Sequence, residues 1–156
     1  MQTNSHHEHA PAHEGTGKLQ EFLRAELSAV ETYELALKNV AHVGLRHALQ
    51  EILTSHARRV ETLRTSIVQL GQQPATSSGV WGAFVKAFQV GADLLGDRAA
   101  IAALEQGEHR GFELYVASLD GCDPTTRQLV ETEILPAQQH AHDLCLKLKS
   151  YTDAPS

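Results

Sequence analysis

The chain has little of what most catalytic and nucleic-acid-binding chemistries require. It contains two cysteines, Cys122 and Cys145, too few for a disulfide framework. In the helical reading below, one sits at a loop and the other about four turns or more along the helix that follows, too far apart to bond, so both are expected as free thiols. Aromatic residues make up 5% of the sequence, which leaves the core to Leu, Ile, Val and Ala. A formal net charge of -6 without any Lys/Arg cluster argues against nucleic acid or an anionic membrane surface as a partner. No apolar run approaches the roughly 20 residues that span a bilayer. Residues 1–17 are polar and lack the apolar stretch of a secretory signal, so a cytoplasmic location is the expectation. A Gly-rich phosphate loop, a Cys-x-x-Cys pair and a nucleophile elbow are also missing.

What the chain does have is Ala, Leu, Glu, Gln and Arg, a helix-forming composition, in a length of 156 residues that suits one domain. Residues 1–15 cannot bury enough apolar surface to order themselves and are expected to be a disordered tail. Four of the ten histidines, His6, His7, His9 and His13, fall there. Such a tract either binds soft divalent metals weakly or is a solvated segment.

Apolar residues at steps of three and four then predict an all-α fold. A first helix over 16–41 carries Leu19, Phe22, Leu23, Ala29, Val30, Ala36, Leu37 and Val40 inward. Gly44 marks a short turn, and a second helix over 45–70 ends at Gly71, so the pair forms an antiparallel hairpin. Residues 72–96 read as a long crossover with a short helix, interrupted at Gly91, in which Trp81, Phe84 and Phe88 pack on one side or end. A third helix covers 97–119. Gly121 stops it, Asp123 caps a fourth helix over 124–151, and Pro124 is its first residue. Pro136 lies inside that helix, so a kink is expected near His140, and the inward positions are Val130, Ile134, Ala137, Ala141, Leu144 and Leu148.

One pattern occurs twice in this frame. Glu26 precedes Tyr33 by seven residues, Glu108 precedes Tyr115 by seven, and the two pairs are offset by 82 positions. Glu31, Leu37 and Glu51-Ile52-Leu53 recur at the same offset as Glu113, Leu119 and Glu133-Ile134-Leu135. The chain is thus a faint duplication of a two-helix unit. Seven residues are two helical turns, so each Glu shares an otherwise apolar stripe with its Tyr.

Counting turns from the hairpin bends places His56 about one turn from the level of Glu26, and His140 about one turn from that of Glu108. Inward carboxylates and imidazoles are how helix bundles hold iron, manganese or zinc. Candidate ligands are therefore Glu26, His56, Glu108 and His140, with His142 an alternative on the fourth helix. Tyr33, Tyr115 and His142 are candidates for orienting those ligands by hydrogen bonds. The bland alternative is a set of satisfied core residues without a ligand, the two Glu being bonded to the tyrosines or protonated. Glu31, Glu34, Glu61, Glu105, Glu113 and His109 are expected on solvated faces. Arg58 and Arg59 are assigned likewise to the surface, although Arg59 lies near enough to the centre to pair with Glu26.

The Glu-x6-Tyr pairs on the first and third helices, the two-hairpin repeat and the long crossover resemble the ferritin-like superfamily, which includes bacterioferritin and rubrerythrin. The resemblance covers about residues 17–150 and is nearest to small uncharacterised bacterial bundles of a domain-of-unknown-function family. It implies an up-down four-helix bundle of two hairpins, a metal centre with Glu26 and Glu108 as ligands, and a role in metal handling or stress response. The superfamily's second and fourth helices supply Glu-x-x-His; here the candidate stretches are Leu53-Thr54-Ser55-His56 or His56-Ala57-Arg58-Arg59, and Ala137-Gln138-Gln139-His140 or Gln139-His140-Ala141-His142, all without the carboxylates. The leading expectation is a bundle with an intact or degenerate Glu/His metal site and no assigned enzymatic activity. A non-enzymatic helical interaction module without metal is the alternative, and a di-iron oxidase the third. A metal ion is the expected partner, and assembly into homo-oligomers stays open.

Overall fold

In a computed structural model the protein is described over residues 11–155, apart from the side chains of residues 11–15, 84 and 92–95. His6, His7 and His9 therefore lie outside the described residues, as do the side chains of His13 and Phe84. Those residues are all-helical and include no strand. They form α1 (Pro11–Asn39), α2 (Val43–Gln69), α3 (Gly82–Ser118), α4 (Pro124–Leu129) and α5 (Leu135–Asp153). A 3-10 turn, Gly79–Trp81, leads into α3, another, Leu119–Gly121, follows it, and a π-helical turn, Val130–Ile134, joins α4 to α5. No described helix is long and apolar enough to cross a membrane.

The punctuation has local causes. Helix α1 is described over Pro11–Asn39, so helix is already present before residue 16. Helix α2 starts before Gly44 because His42 caps it, its Nδ1 accepting from the amide of Leu45 at 3.3 Å. Gly71, at φ 73°, closes the other end: its amide donates to Val68, and the Gln72 amide donates to Ile67. A left-handed residue of this kind is where glycine is favoured. The long helix α3 is broken at Gly96 (φ 75°, ψ -172°), not at Gly91. Immediately after that break, the Asp97 carboxylate accepts from the amides of Ala41 and His42, both at 3.0 Å. This fastens the lower part of α3 to the α1–α2 turn.

The Pro136 disturbance lies upstream of His140. Proline cannot donate to the preceding turn, and the chain absorbs the loss with the π-turn at Val130–Ile134 instead of a kink further on. A π-turn holds one residue more than an α-turn and so moves the buried stripe by one position. Gln138 and Cys145 are buried where Ala137 and Leu144 were expected, and the latter two are only half-buried.

Helix α1 packs on α2 and α3, α3 on α5, and α2 touches α5. The core between them is two apolar clusters. One contains Ala36, Val40, Leu45, Leu49, Ile52, Ile101, Leu104 and Ala141; the other contains Leu19, Phe22, Leu23, Leu63, Ile67, Val130 and Ile134. Between them lies a polar layer with one level from each long helix: Glu26, His56 with Arg59, Glu108 and Gln138.

Candidate functional site

The duplicated pairs meet by exchange. Tyr33 on α1 donates its hydroxyl proton to Glu108 Oε1 on α3 at 2.6 Å, and Tyr115 on α3 donates to Glu26 Oε1 on α1. Each tyrosine therefore holds the other helix's carboxylate, an arrangement that antiparallel helices with the same spacing of seven produce. His56 of α2 lies between the two acids. Its Nδ1 is 2.7 Å from Glu26 Oε2, and its Nε2 is 2.9 Å from Glu108 Oε1.

Two residues complete the layer. Arg59, one turn after His56, places Nη1 3.1 Å from Glu26 Oε1 and donates from it to Gln138 Oε1; its Nη2 is 2.8 Å from His56 Nδ1. Gln138 uses both hydrogens of its amide nitrogen on Glu108, one to Oε2 at 2.7 Å and one to the backbone oxygen at 2.8 Å. Gly111 permits this, because a Cβ there would stand 2.8 Å from Gln138 Nε2. Glu26, His56, Arg59, Glu108 and Gln138 are each no more than 3% exposed. Among the described residues, the sole buried side-chain nitrogen or oxygen without a partner is Nε of Arg59.

His56 Nδ1 has two neighbours and one lone pair or proton to offer. Either it donates to Glu26, or it accepts from Arg59 while Glu26 carries the proton. Both placements leave two acid groups, one guanidinium and one shared proton, so the layer is neutral. Burial and the Arg59 charge pull the His56 pKa down, but Glu108 and Glu26 outweigh them and hold it above the ordinary value. Burial raises Glu26 and Glu108, yet Arg59 and His56 beside the first, and His56 and Tyr33 beside the second, keep both carboxyls below it. Burial, reinforced by the facing Glu, raises Tyr33 and Tyr115 well above a free phenol, so both keep their protons.

The remaining candidates lie elsewhere. His140 is exposed, with Nε2 3.3 Å from Glu51 on α2. The one-residue shift of the stripe turns Gln138 inward and leaves His140 on the outer face. His142 does not reach the tyrosine–glutamate pairs either; it approaches Glu105 at 3.1 Å, beside the ring of His109. Glu105 is buried, not solvated, and also accepts from Lys149 at 3.0 Å. Arg59 belongs to the centre, whereas Arg58 is exposed. The internal offset carried the missed signal: the 82 positions that map Glu26 onto Glu108 map His56 onto Gln138 and Arg59 onto Ala141. Cys145 lies 3.2 Å from the Tyr33 hydroxyl, and since the hydroxyl's proton is directed at Glu108 the thiol is the donor. Burial and the Glu108 charge push its pKa up to about 12, which leaves it a poor nucleophile.

The donor set does not fit a resident metal as it stands. Each carboxylate oxygen already accepts a protein hydrogen bond, both nitrogens of the His56 ring are engaged, and a guanidinium occupies the space beside them. No group of three or more His, Cys, Asp or Glu among the described residues is arranged to hold a metal ion.

A cavity of about 200 Å³ opens between α1 and α3 and reaches this layer, with Glu26, Tyr33, His56, Glu108, Tyr115 and Gln138 at its inner end. Its walls include Ala25, Ser28, Ala29 and Thr32 of α1 and Gly107 and Gly111 of α3, and Val80 and Trp81 stand over it. Ser28 Oγ donates to the Trp81 carbonyl at 3.1 Å and Ser78 Oγ to Glu31 at 3.2 Å, fastening that turn to α1.

No match to the chain was found among curated proteins or among solved structures. A family model does match: residues 15–120, which carry Glu26, Tyr33, His56, Arg59, Glu108 and Tyr115 but neither Gln138 nor Cys145, fit "Domain of unknown function (DUF2383)", and the chain belongs to that family.

Proposed function

We propose that this is a ferritin-like four-helix bundle in which a built-in cation, Arg59, takes the place of a metal centre, and that it acts as a non-enzymatic binding module. The architecture is supported by the layer order. The apolar cluster of Leu19 precedes the polar layer along α1 and follows it along α2; the cluster of Leu45 precedes it along α3 and follows it along α5. Helices α2 and α3 thus run the same way, and the segment between them climbs the height of the bundle to reach the Asp97 contact with the α1–α2 turn.

The observation that carries the functional reading is the Arg59 guanidinium beside Glu26 and His56. A metal ion in a Glu/His centre offsets carboxylate charge. Here Arg59 and the shared proton already do so. A second reading, metal handling or a stress-response role through bound iron, manganese or zinc, is favoured by the cavity that gives Glu26, His56 and Glu108 a path to solvent. Metal analysis of full-length protein with His6, His7, His9 and His13 replaced by Ala separates the two. Less than a tenth of an equivalent of metal after incubation with ferrous, manganous or zinc ion is expected. Stoichiometric metal that disappears in the Glu26→Gln/Glu108→Gln variant overturns the proposal.

A further inference from the structure

We infer that the cavity between α1 and α3 is a binding site for a small neutral molecule with an apolar ring body and a hydrogen-bond-donating head, of the phenol or pyrrole type. This rests on the metal-free reading, because a metal at the inner end would change what that end can accept.

The size follows from the walls. Facing helices normally fill their interface with Leu or Ile, but α1 presents Ala25, Ser28, Ala29 and Thr32, and α3 presents Gly107 and Gly111, so the space stays open. Its volume of about 200 Å³ corresponds to about seven waters in the liquid, the size of one small ring with a substituent. The lining is mainly apolar with a few converging polar groups, the usual make-up of a small-molecule site.

The head group follows from a donor count. At the inner end the Tyr33 and Tyr115 hydroxyls donate to Glu108 and Glu26, both amide hydrogens of Gln138 are spent on Glu108, and both ring nitrogens of His56 face carboxylates. On the wall, Thr32 Oγ1 donates to the Ser28 carbonyl at 2.7 Å, and Ser28 Oγ donates to Trp81. Among these lining groups what is left over is lone pairs, those of the carboxylates, phenols and hydroxyls; the unpartnered Nε of Arg59 belongs to a residue that does not line the cavity. Arg110, which is exposed, and Trp81, which is half-buried, are the other lining residues whose side chains carry donors. A ligand that reaches the inner end must therefore bring the proton. It must also be neutral, since the layer is neutral as a whole and would leave a buried ionic head without a counter-charge.

The test uses full-length protein labelled with nitrogen-15, read at the indole N–H of Trp81, the single tryptophan. Phenol is expected to shift that signal saturably. Pyrrole, an N–H donor, is expected to bind at least tenfold more tightly than pyridine, a ring of similar size and hydrophobicity that only accepts. Ala29→Phe fills the wall and is expected to abolish the shift with its melting temperature kept; Ala25→Leu serves if that variant does not fold. The inference is overturned by an unsaturable phenol response, by pyridine binding as tightly as pyrrole, or by an unchanged response in the filled variant. Metal content measured on the same sample keeps the failures apart: a metal-loaded centre defeats the metal-free reading, while metal-free protein that ignores phenol defeats this inference alone.

Discussion

The two halves of the molecule descend from one pattern but contribute unequally to the layer they share. Each supplies a Glu and a Tyr at the same spacing, and these pair crosswise. From the first half α2 adds His56 and Arg59, both able to carry positive charge; at the equivalent positions α5 offers Gln138 and Ala141. The asymmetry balances the charge. Two buried carboxylates are neutralised by one guanidinium and one proton, and a second such pair from α5 would leave an excess of buried positive charge, which is far costlier than a neutral amide. Gln138 instead serves as an adaptor, accepting from Arg59 on one side and donating to Glu108 on the other. Duplication gave the layer its symmetry, and electroneutrality explains where the symmetry stops.

The largest effect should follow from removing the cation of the first half. Arg59→Met leaves Glu26 and Glu108 with only the His56 proton between them, and unfolding in urea is expected to lose about 3–5 kcal/mol, the cost of breaking a buried ion pair. A loss under about 1 kcal/mol would mean that the layer is solvated and the comparison misjudged. Removing the matching side chain of the second half, in Gln138→Ala, takes away hydrogen bonds but no charge, so about 1–3 kcal/mol is expected. If it cost more than Arg59→Met, the charge argument would be wrong.

The crosswise pairs offer a finer comparison. Tyr33→Phe and Tyr115→Phe each delete one hydrogen bond to a buried carboxylate and should each cost about 1.5–3 kcal/mol. Tyr33→Phe also strands the Cys145 thiol, so it should be the costlier of the two; thermal unfolding of both variants side by side reads this.

Acidity tests the two kinds of group separately. The carboxyls of Glu26 and Glu108 are lowered in the fold, so their contribution is complete above the ordinary value of 4.5 and is lost as pH falls below it. His56 is raised, so its contribution is complete below 6.5 and is lost as pH climbs above that. Stability should therefore peak between 4.5 and 6.5. In His56→Gln the alkaline decline should shrink while the acid limb remains, and a pH profile unchanged by that variant would contradict the assignment.

Along the backbone, Gly96→Ala forces a side chain to φ 75° and ψ -172°, a region essentially confined to glycine, at an expected cost of about 1–3 kcal/mol. Gly91→Ala, in the same helix but without that conformation, should be neutral or slightly stabilising.

Much of this was written in the sequence. Periodicities of three and four gave the helices, Gly71 and Asp123 gave two of their ends, the seven-residue pairs singled out Glu26, Tyr33, Glu108 and Tyr115, and counting turns added His56. Such features are local, or repeat at a fixed spacing, and need no knowledge of what faces them. The exchange of tyrosines between α1 and α3 and the burial of Arg59 were decided only in three dimensions; the 82-position offset already aligned Gln138 with His56, but its burial in preference to His140 was settled there too. An arginine's place depends on which acids its long side chain can reach, and no pattern on its own helix records that. The choice between Gln138 and His140 turned on a single extra residue in the π-turn ahead of Pro136, because rotating a helix by one position exchanges what is buried for what is exposed. The cavity, too, exists only because small residues on two separate helices meet. The sequence by itself determined which helices form and which stripe is polar. The tertiary structure decided that the polar stripe closes on itself, since buried charge is settled by neighbours that packing alone brings together.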